Sequence, residues 1–406
     1  MKEEGFPAHE GRSTLPGEGV VFLPRMQHVN NHPTRAIIRL DHLSDNMQLL
    51  QDIAGNRPLW PAIKANAYGH GADILARHLI QLGYDTLCVA HFSEAKALLD
   101  AGIRATFIIL SASLPAEAGS MVAFAQIQPV ICTMSMAEAL SQAAVAADCV
   151  VSVHVKVDTG MGRVGIRPEE TVSFLETLAT LPGLRLQGLM SHFACADAAD
   201  KTYSLEQVAS FQQVLTAMEE HQVARPPFLH MANSAGIFDV PSAHFDAVRP
   251  GISIYGLVPS NEIVNPRVKA LKPVLELKSR ITFLKSVPAN VGLSYGHTYR
   301  TERPSLIATV PLGYGDGLSR LLSNRLEVLV GKGTRCPQRG RVTMDQILVD
   351  VTALEGQVQV GDEVVVIGSQ GTTNITADEH AQSLGTINYE IVTALSQRVV
   401  RQAATC

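Results

Sequence analysis

Charge is scarce in this sequence: 17% of its 406 residues are Asp, Glu, Lys or Arg, against roughly 25% in typical soluble proteins, while 46% are hydrophobic. A disordered chain would show the opposite balance, so the bulk of this one is expected to fold. No basic stripe interrupts a net charge of −5, which argues against a nucleic-acid partner. Nor do the six cysteines (Cys88, Cys132, Cys149, Cys195, Cys336, Cys406) form a C-x-x-C pair of the zinc or redox kind. A chain this long needs no disulfide framework, so reduced thiols, no metal and a cytoplasmic location are expected, with Cys132 or Cys149 as small core filler. No apolar run approaches the ~20 residues of a membrane span, and Val20–Leu23 is too short for a signal-peptide core. Residues 1–34 read as a mobile N-terminal extension.

What the sequence does have is rhythm. Short runs rich in Val, Ile and Leu alternate with Ala/Leu/Glu/Gln segments of helical period. The runs are Leu59–Lys64, Thr86–His91, Thr106–Ser111, Ile127–Cys132, Val150–Val157, Leu184–His192, Phe228–Ala232 and Ala247–Gly251, preceded by Ala36–Asp41. Helices are expected over Ala72–Leu82, Ser93–Ala101, Met136–Ala147, Pro168–Leu181 and Leu205–His221, with Gly83, Gly102 and Gly183 as stops. Eight such units predict an α/β fold with a (β/α)8 TIM barrel over 35–274; a doubly wound sheet is the alternative. From Leu275 onward strands follow without long helices (Leu275–Val287, Ser305–Pro311, Leu326–Val330, Thr334–Arg339, Gln346–Val351, Glu363–Ile367), predicting a separate, mainly β domain over 275–406 with one helix at Asp378–Leu384.

Chemistry on such barrels gathers where the strands end, and here those ends are polar. The first run closes on Lys64, the fifth carries Lys156 and leads to Asp158 and Arg163, and the sixth ends in His192. The seventh leads to Asn233 and Ser234, the eighth to Arg249 and Gly251. A lysine at a strand end is commonly just solvated, and His192 is as readily a satisfied core histidine as a catalytic one. Yet Lys64 follows apolar Pro61-Ala62-Ile63 and precedes Tyr68 and a Gly-His-Gly turn, a setting for a desolvated amine able to form a Schiff base with an aldehyde cofactor. Ser234 and Gly251-Ile252 fall where barrels bind phosphate through backbone N–H groups, and the two features together imply pyridoxal phosphate.

The motifs AIKANAYGHG (62–71), VKVDTGMGRVG (155–165), SHFACAD (191–197), HMANSAG (230–236), VRPGISIYG (248–256), SYGHTY (294–299), PLGYGDG (311–317) and RVTMDQ (341–346) closely resemble those of the alanine racemase family. The resemblance runs from about Arg35 to Arg401. It implies pyridoxal 5′-phosphate held by Lys64, a phosphate cradle of Tyr68, Ser234, Gly251, Ile252 and Tyr389, and Arg249 at the pyridine nitrogen. It implies Arg163 and the Met344 backbone N–H at the substrate carboxylate, Lys156 at the position of a lysine that is often carbamylated so as to pair with Arg163, and Tyr314 and Asp345 at the site's entrance. The strand near 36–41 is expected to join the β domain, and the partners implied are a small amino acid and a second copy in a head-to-tail dimer. Two departures stand out, Gly315 where alanine is commoner and Thr343 where cysteine or serine is.

The activity implied is interconversion of L- and D-alanine, supplying D-alanine for cell-wall peptidoglycan. Such a reaction needs bases on opposite faces, Lys64 on one and Tyr295 of the partner chain on the other. A phenol of pKa near ~10 needs positive neighbours to act, and His192 bonded to Arg249 would contribute them. Arg249 itself stays protonated and cannot pass a proton to the ring, which limits side reactions. Serine or broad-specificity racemisation is the nearest rival. A related decarboxylase and a non-catalytic pyridoxal-phosphate protein are further alternatives, the first disfavoured by SYGHTY and the second by the β domain.

Overall fold

A computed structural model describes residues 32–404. All but the last residues of the expected N-terminal extension lie outside them. Six parallel strands, Thr86–Val89, Thr106–Ile109, Ile127–Ile131, Val151–Lys156, Leu184–Met190 and Phe228–His230, pair in chain order. Isolated parallel bridges Ala62–Cys88, His230–Ala247 and Leu59–Val248 carry the pairing across both edges and join them, so eight segments close a barrel. The first and eighth segments make only single bridges because Pro58, Pro61 and Pro250 cannot donate to the ladder.

The strand Val151–Lys156 is buried throughout, and its two-residue period puts Ser152, His154 and Lys156 on one face and three valines on the other. Helices wrap the outside by burying one stripe each. Met134–Ala146, for example, starts at Thr133, whose hydroxyl accepts the Met136 N–H, and buries Met136, Ala137, Leu140 and Ala144.

One large sheet runs Thr334–Pro337, Glu327–Val330, Glu363–Gln370, Leu275–Arg280, Arg35–Arg39 and Val400–Ala404, with Thr373–Ile375 paired to Glu363–Gln370. The expected early strand thus joins the β region, antiparallel to Leu275–Arg280 and parallel to Val400–Ala404. A three-stranded sheet of Ile347–Asp350, Ser305–Val310 and Phe283–Val287 stands beside it. The expected single strand Leu275–Val287 is two, since the chain leaves the large sheet after Arg280 and enters the small one at Phe283. A helix at Leu40–Ala54 follows the first strand without a break and buries Leu43, Asn46, Met47, Leu50 and Ala54. Among the described cysteines, Cys88 and Cys336 are the fully buried ones, whereas Cys132 and Cys149 are half-buried.

Candidate active site

Lys64 opens a left-handed turn. Ala65, Asn66, Ala67 and Tyr68 all take φ between 50 and 54°, a conformation costing L-residues roughly 1–2 kcal/mol each. The surroundings hold it in place. Glu94 Oε1 accepts the Ala65 N–H at 2.6 Å while Oε2 accepts that of Ala90 at 2.7 Å. Asn66 Oδ1 takes the Ala72 N–H at 2.9 Å, and Arg401 Nε donates to the Gly69 carbonyl at 2.9 Å. Gly69 closes the turn at φ 85°, where any Cβ would collide with the Val392 carbonyl. The result is that Lys64 and Tyr68 face one cleft.

That cleft, about 350 Å³, also takes in His192, Asn233, Ser234, Arg249, Gly251, Ile252 and Tyr389. Ser234 Oγ accepts the backbone N–H of Gly251 at 2.9 Å and of Ser253 at 3.2 Å. A Cβ on Gly251 would lie 2.8 Å from the Tyr68 hydroxyl, so the glycine leaves a hollow between two hydroxyls and a run of backbone amides. Asn233 accepts the Gly236 N–H and fixes the start of the short helix bearing Ser234. Behind Tyr68, the Tyr255 ring packs at 4.9 Å and its hydroxyl donates to the Ala62 carbonyl.

Positive charge dominates the floor. Arg249, 3% exposed, donates through Nη1 to His230 Nδ1 at 2.6 Å and through Nη2 to the carbonyls of Ser191 and Met231 at 2.8 and 3.0 Å. Its Nη2 also reaches His192 Nδ1 at 3.4 Å. Burial first, then the Arg249 charge, holds His192 well below the ordinary histidine range, so this ring is neutral. Since a guanidinium only donates, His192 Nδ1 is its acceptor and the proton sits on Nε2.

Burial and the charge of Arg163 depress Lys64, and burial with Arg249 and Arg163 brings Lys156 down to about 8. Lys156 ends its strand 5% exposed. Arg163 stands in the loop 157–166, which Asp158 organises by accepting the N–H groups of Gly160, Gly162 and Arg163.

Six expected residues do not line this cleft: Lys156 and Arg163 of the barrel, and four from the β region. Tyr295 is 74% exposed and Met344 52%, and Tyr314 and Asp345 are exposed as well. They sit on neighbouring loops of the β region: Tyr314 N–H donates to the Thr343 carbonyl, Gly315 N–H to that of Met344, and Ser294 Oγ to that of Arg341. Ser294, just before Tyr295, has φ 61°.

The family model for the alanine racemase N-terminal domain matches residues 38–259 and that for the C-terminal domain matches 274–403. The chain belongs to the alanine racemase family. An alanine racemase of Halothermothrix orenii is 44% identical over 371 residues, covering 91% of this chain and 96% of the relative. One from Clostridium novyi is 38% identical over 370 residues, 91% and 95% of the two chains. Among solved structures, alanine racemase of Clostridium difficile 630 superposes with a TM-score of 0.86 at 35% identity, covering 92% of this chain and 96% of that one. That of Bacillus anthracis, with bound L-Ala-P, gives 0.85 at 35% identity, covering 92% and 95%.

Sequence reasoning passed over His154, His230 and Gln128, which continue the chain of contacts behind Arg249. The two-residue spacing of His154 and Lys156 was the available signal, since it puts both on the inward face. At Gly315, a Cβ would come against the Arg398 guanidinium, which pairs with Asp345 at 2.8 Å and Asp316 at 3.3 Å, so an alanine there would require that side chain to shift. Thr343 keeps a hydroxyl, and it donates to the Gln346 carbonyl at 2.9 Å.

Proposed function

We propose that the protein interconverts L- and D-alanine with pyridoxal phosphate, using Lys64 and, from a second copy of the chain, Tyr295. The residues present fit the cofactor. The hollow at Gly251, flanked by the hydroxyls of Tyr68 and Ser234, suits a phosphate, and the depressed Lys64 amine suits an aldehyde. When bound, the cofactor supplies that aldehyde and a ring that draws electrons from the substrate's Cα–H bond. The observation that carries the reading is the convergence of Lys64, the hollow and Arg249 on one cleft in a chain of this family.

In this reading Lys64 takes or returns the Cα proton on one face, and its depressed pKa raises the neutral fraction that can do so. Tyr295 serves the other face, and the Nε2–H of His192 is the donor offered to its phenolate. Arg163, with the Met344 N–H of the second copy, holds the substrate carboxylate. Arg249 would meet the cofactor's ring nitrogen without giving up a proton, since even buried it is lowered only to about 10. Tyr389 packs against Tyr68 with ring centroids 6.1 Å apart and walls the cleft, which favours a side chain as small as methyl. The exposed cluster of Tyr295, Tyr314 and Met344 supports a head-to-tail homodimer, and a cytoplasmic D-alanine supply for the cell wall is the role that follows.

The test is chiral analysis of the common L-amino acids incubated with the cofactor-loaded protein. L-alanine should approach an even mixture of enantiomers and serine should lag. Loaded protein that leaves L-alanine unchanged overturns the proposal.

A further inference from the structure

Behind Arg249 the barrel interior holds a polar chain to which the reaction assigns no task. Arg249 Nη1 lies 2.6 Å from His230 Nδ1, His230 Nε2 lies 2.9 Å from His154 Nδ1, and His154 Nε2 lies 2.9 Å from Gln128 Oε1. Both histidines are fully buried, and Trp60 packs edge-on against them with ring centroids at 4.9 and 5.9 Å. Gln128, on the strand Ile127–Ile131, is not among the residues lining the cleft.

The chemistry of the first member fixes the direction of all the rest. A guanidinium has only donors, so His230 Nδ1 must accept, which leaves the proton of a neutral ring on Nε2. That proton goes to His154 Nδ1. His154 then carries its own proton on Nε2 and needs an acceptor beyond it, which is the amide oxygen of Gln128. The hydrogen bonds all run one way, and each contact has one donor and one acceptor. A second proton on His230 would set donor against donor at Arg249. Burial, with the Arg249 charge, holds His154 down to about 3 and His230 well below its usual range, which keeps both neutral.

The backbone makes room for this chain. Gly188 pairs with His154 across neighbouring strands, at a register shift between Val153 and His154. Its φ lies outside the left-handed region, so conformation does not demand glycine there. A Cβ would instead collide with His154 Nδ1 and come within 3.2 Å of His230 Nε2, at the hydrogen bond between them. Apolar side chains of similar volume could fill the same space without loss of stability, so filling the core does not explain a polar network there.

We propose that Gln128 is a positioning residue for the racemase reaction: as terminal acceptor it satisfies the last donor of the chain, the His154 Nε2–H, and so holds both rings and thereby the aim of the Arg249 guanidinium. The inference rests on the racemase reading above for what Arg249 does. In Gln128→Met the acceptor is lost at nearly equal length, the buried His154 Nε2–H is left without a partner, and the two rings behind Arg249 shift to find one, so that Nη1 loses a constant partner. Gln128→Glu keeps an acceptor in the same place.

In the cofactor-loaded enzyme, Gln128→Met should lower kcat on L-alanine about tenfold and leave KM within about twofold, with a displaced visible absorption maximum of the bound cofactor. Gln128→Glu should restore most of kcat and the wild-type spectrum. Gly188→Ala, which strikes the middle of the chain, should follow Gln128→Met. Nitrogen-15 NMR of histidine-labelled loaded protein without substrate should show the Nε2–H form for His154 and His230 in the wild type, and a displaced His154 Nε2 signal in Gln128→Met, where its hydrogen bond is lost. A proton on Nδ1 of either ring in the wild type, wild-type kcat and spectrum in Gln128→Met, or equal impairment of the Met and Glu variants would overturn the proposal. The NMR reading needs no turnover, so it fails separately from the racemase reading, which wild-type racemisation of L-alanine decides.

Discussion

Replacing Lys156 by methionine removes a buried ammonium and keeps most of its volume. The amine is held to about 8 against an ordinary 10.5, first by burial and then by the charges of Arg249 and Arg163. Keeping it charged at neutral pH therefore costs about 3 kcal/mol. Because the folded pKa lies below the unfolded one, the unfolded chain holds more protons between pH 8 and 10.5. Stability should thus rise with pH across that window, and the full cost applies below it. Carbon dioxide offers another escape: the neutral amine adds to it, releases a proton and becomes a carbamate anion. The two guanidiniums that repel the ammonium attract that anion. In carbon-dioxide-free buffer at pH 7 the wild type should melt roughly 3–6 °C below Lys156→Met, with the gap closing toward pH 10.5. Bicarbonate should raise the melting temperature of the wild type at pH 8 and leave the variant unmoved, and mass spectrometry should find one added carbon dioxide on Lys156. A variant that still responds to bicarbonate, or a wild type with no rise across the window, refutes the reasoning.

Three further outcomes are expected. Borohydride reduction of the loaded protein should fix the cofactor to Lys64 and abolish the visible absorption; an adduct on another lysine, located by peptide mass spectrometry, would displace the site. Tyr389→Asn opens the wall beside Tyr68 and should raise kcat/KM for serine relative to alanine by about tenfold, a ratio that stays put if the ring does not limit the pocket. Lys64→Ala and Tyr295→Phe should each be inactive as homodimers, yet subunit exchange should restore about a quarter of wild-type activity, since half the dimers then carry one complete site of two. Heterodimers seen by native mass spectrometry without that gain would mean that Tyr295 does not act across the dimer.

The barrel was legible because its signals are local. Alternating apolar runs and amphipathic segments repeat eight times, and the polar strand ends named Lys64, His192, Ser234 and Arg249, all of which line the cleft. The helix Leu40–Ala54 escaped because it starts directly after a strand with no cap or breaker, and its buried stripe includes Asn46, whose amide bonds the Ile254 and Lys272 carbonyls. The last strand, Val400–Ala404, is short and polar at Arg401 and Gln402, and pairs with a partner more than 360 residues away in sequence, a relation no local pattern carries. The same limit hid Gln128, His154 and His230. Each lies on a different strand, and only barrel closure sets them in line.

The two halves of the site differ in how completely the chain satisfies them. Within the barrel, Arg249 and the turn after Lys64 have their environment built in: Arg249 has His230 and two carbonyls, and the strained turn has Glu94, Asn66 and Arg401. Such strain persists only where surrounding bonds over-determine it. Tyr295 is the reverse case, a large aromatic ring mostly in solvent on a loop whose preceding residue is itself at positive φ. Racemisation gives a reason for the asymmetry. The wall that carries Lys64 can present a base to one face of the substrate's Cα. A base for the opposite face has to come from across the cleft, and in the proposed dimer the second copy's Tyr295 is the group offered there.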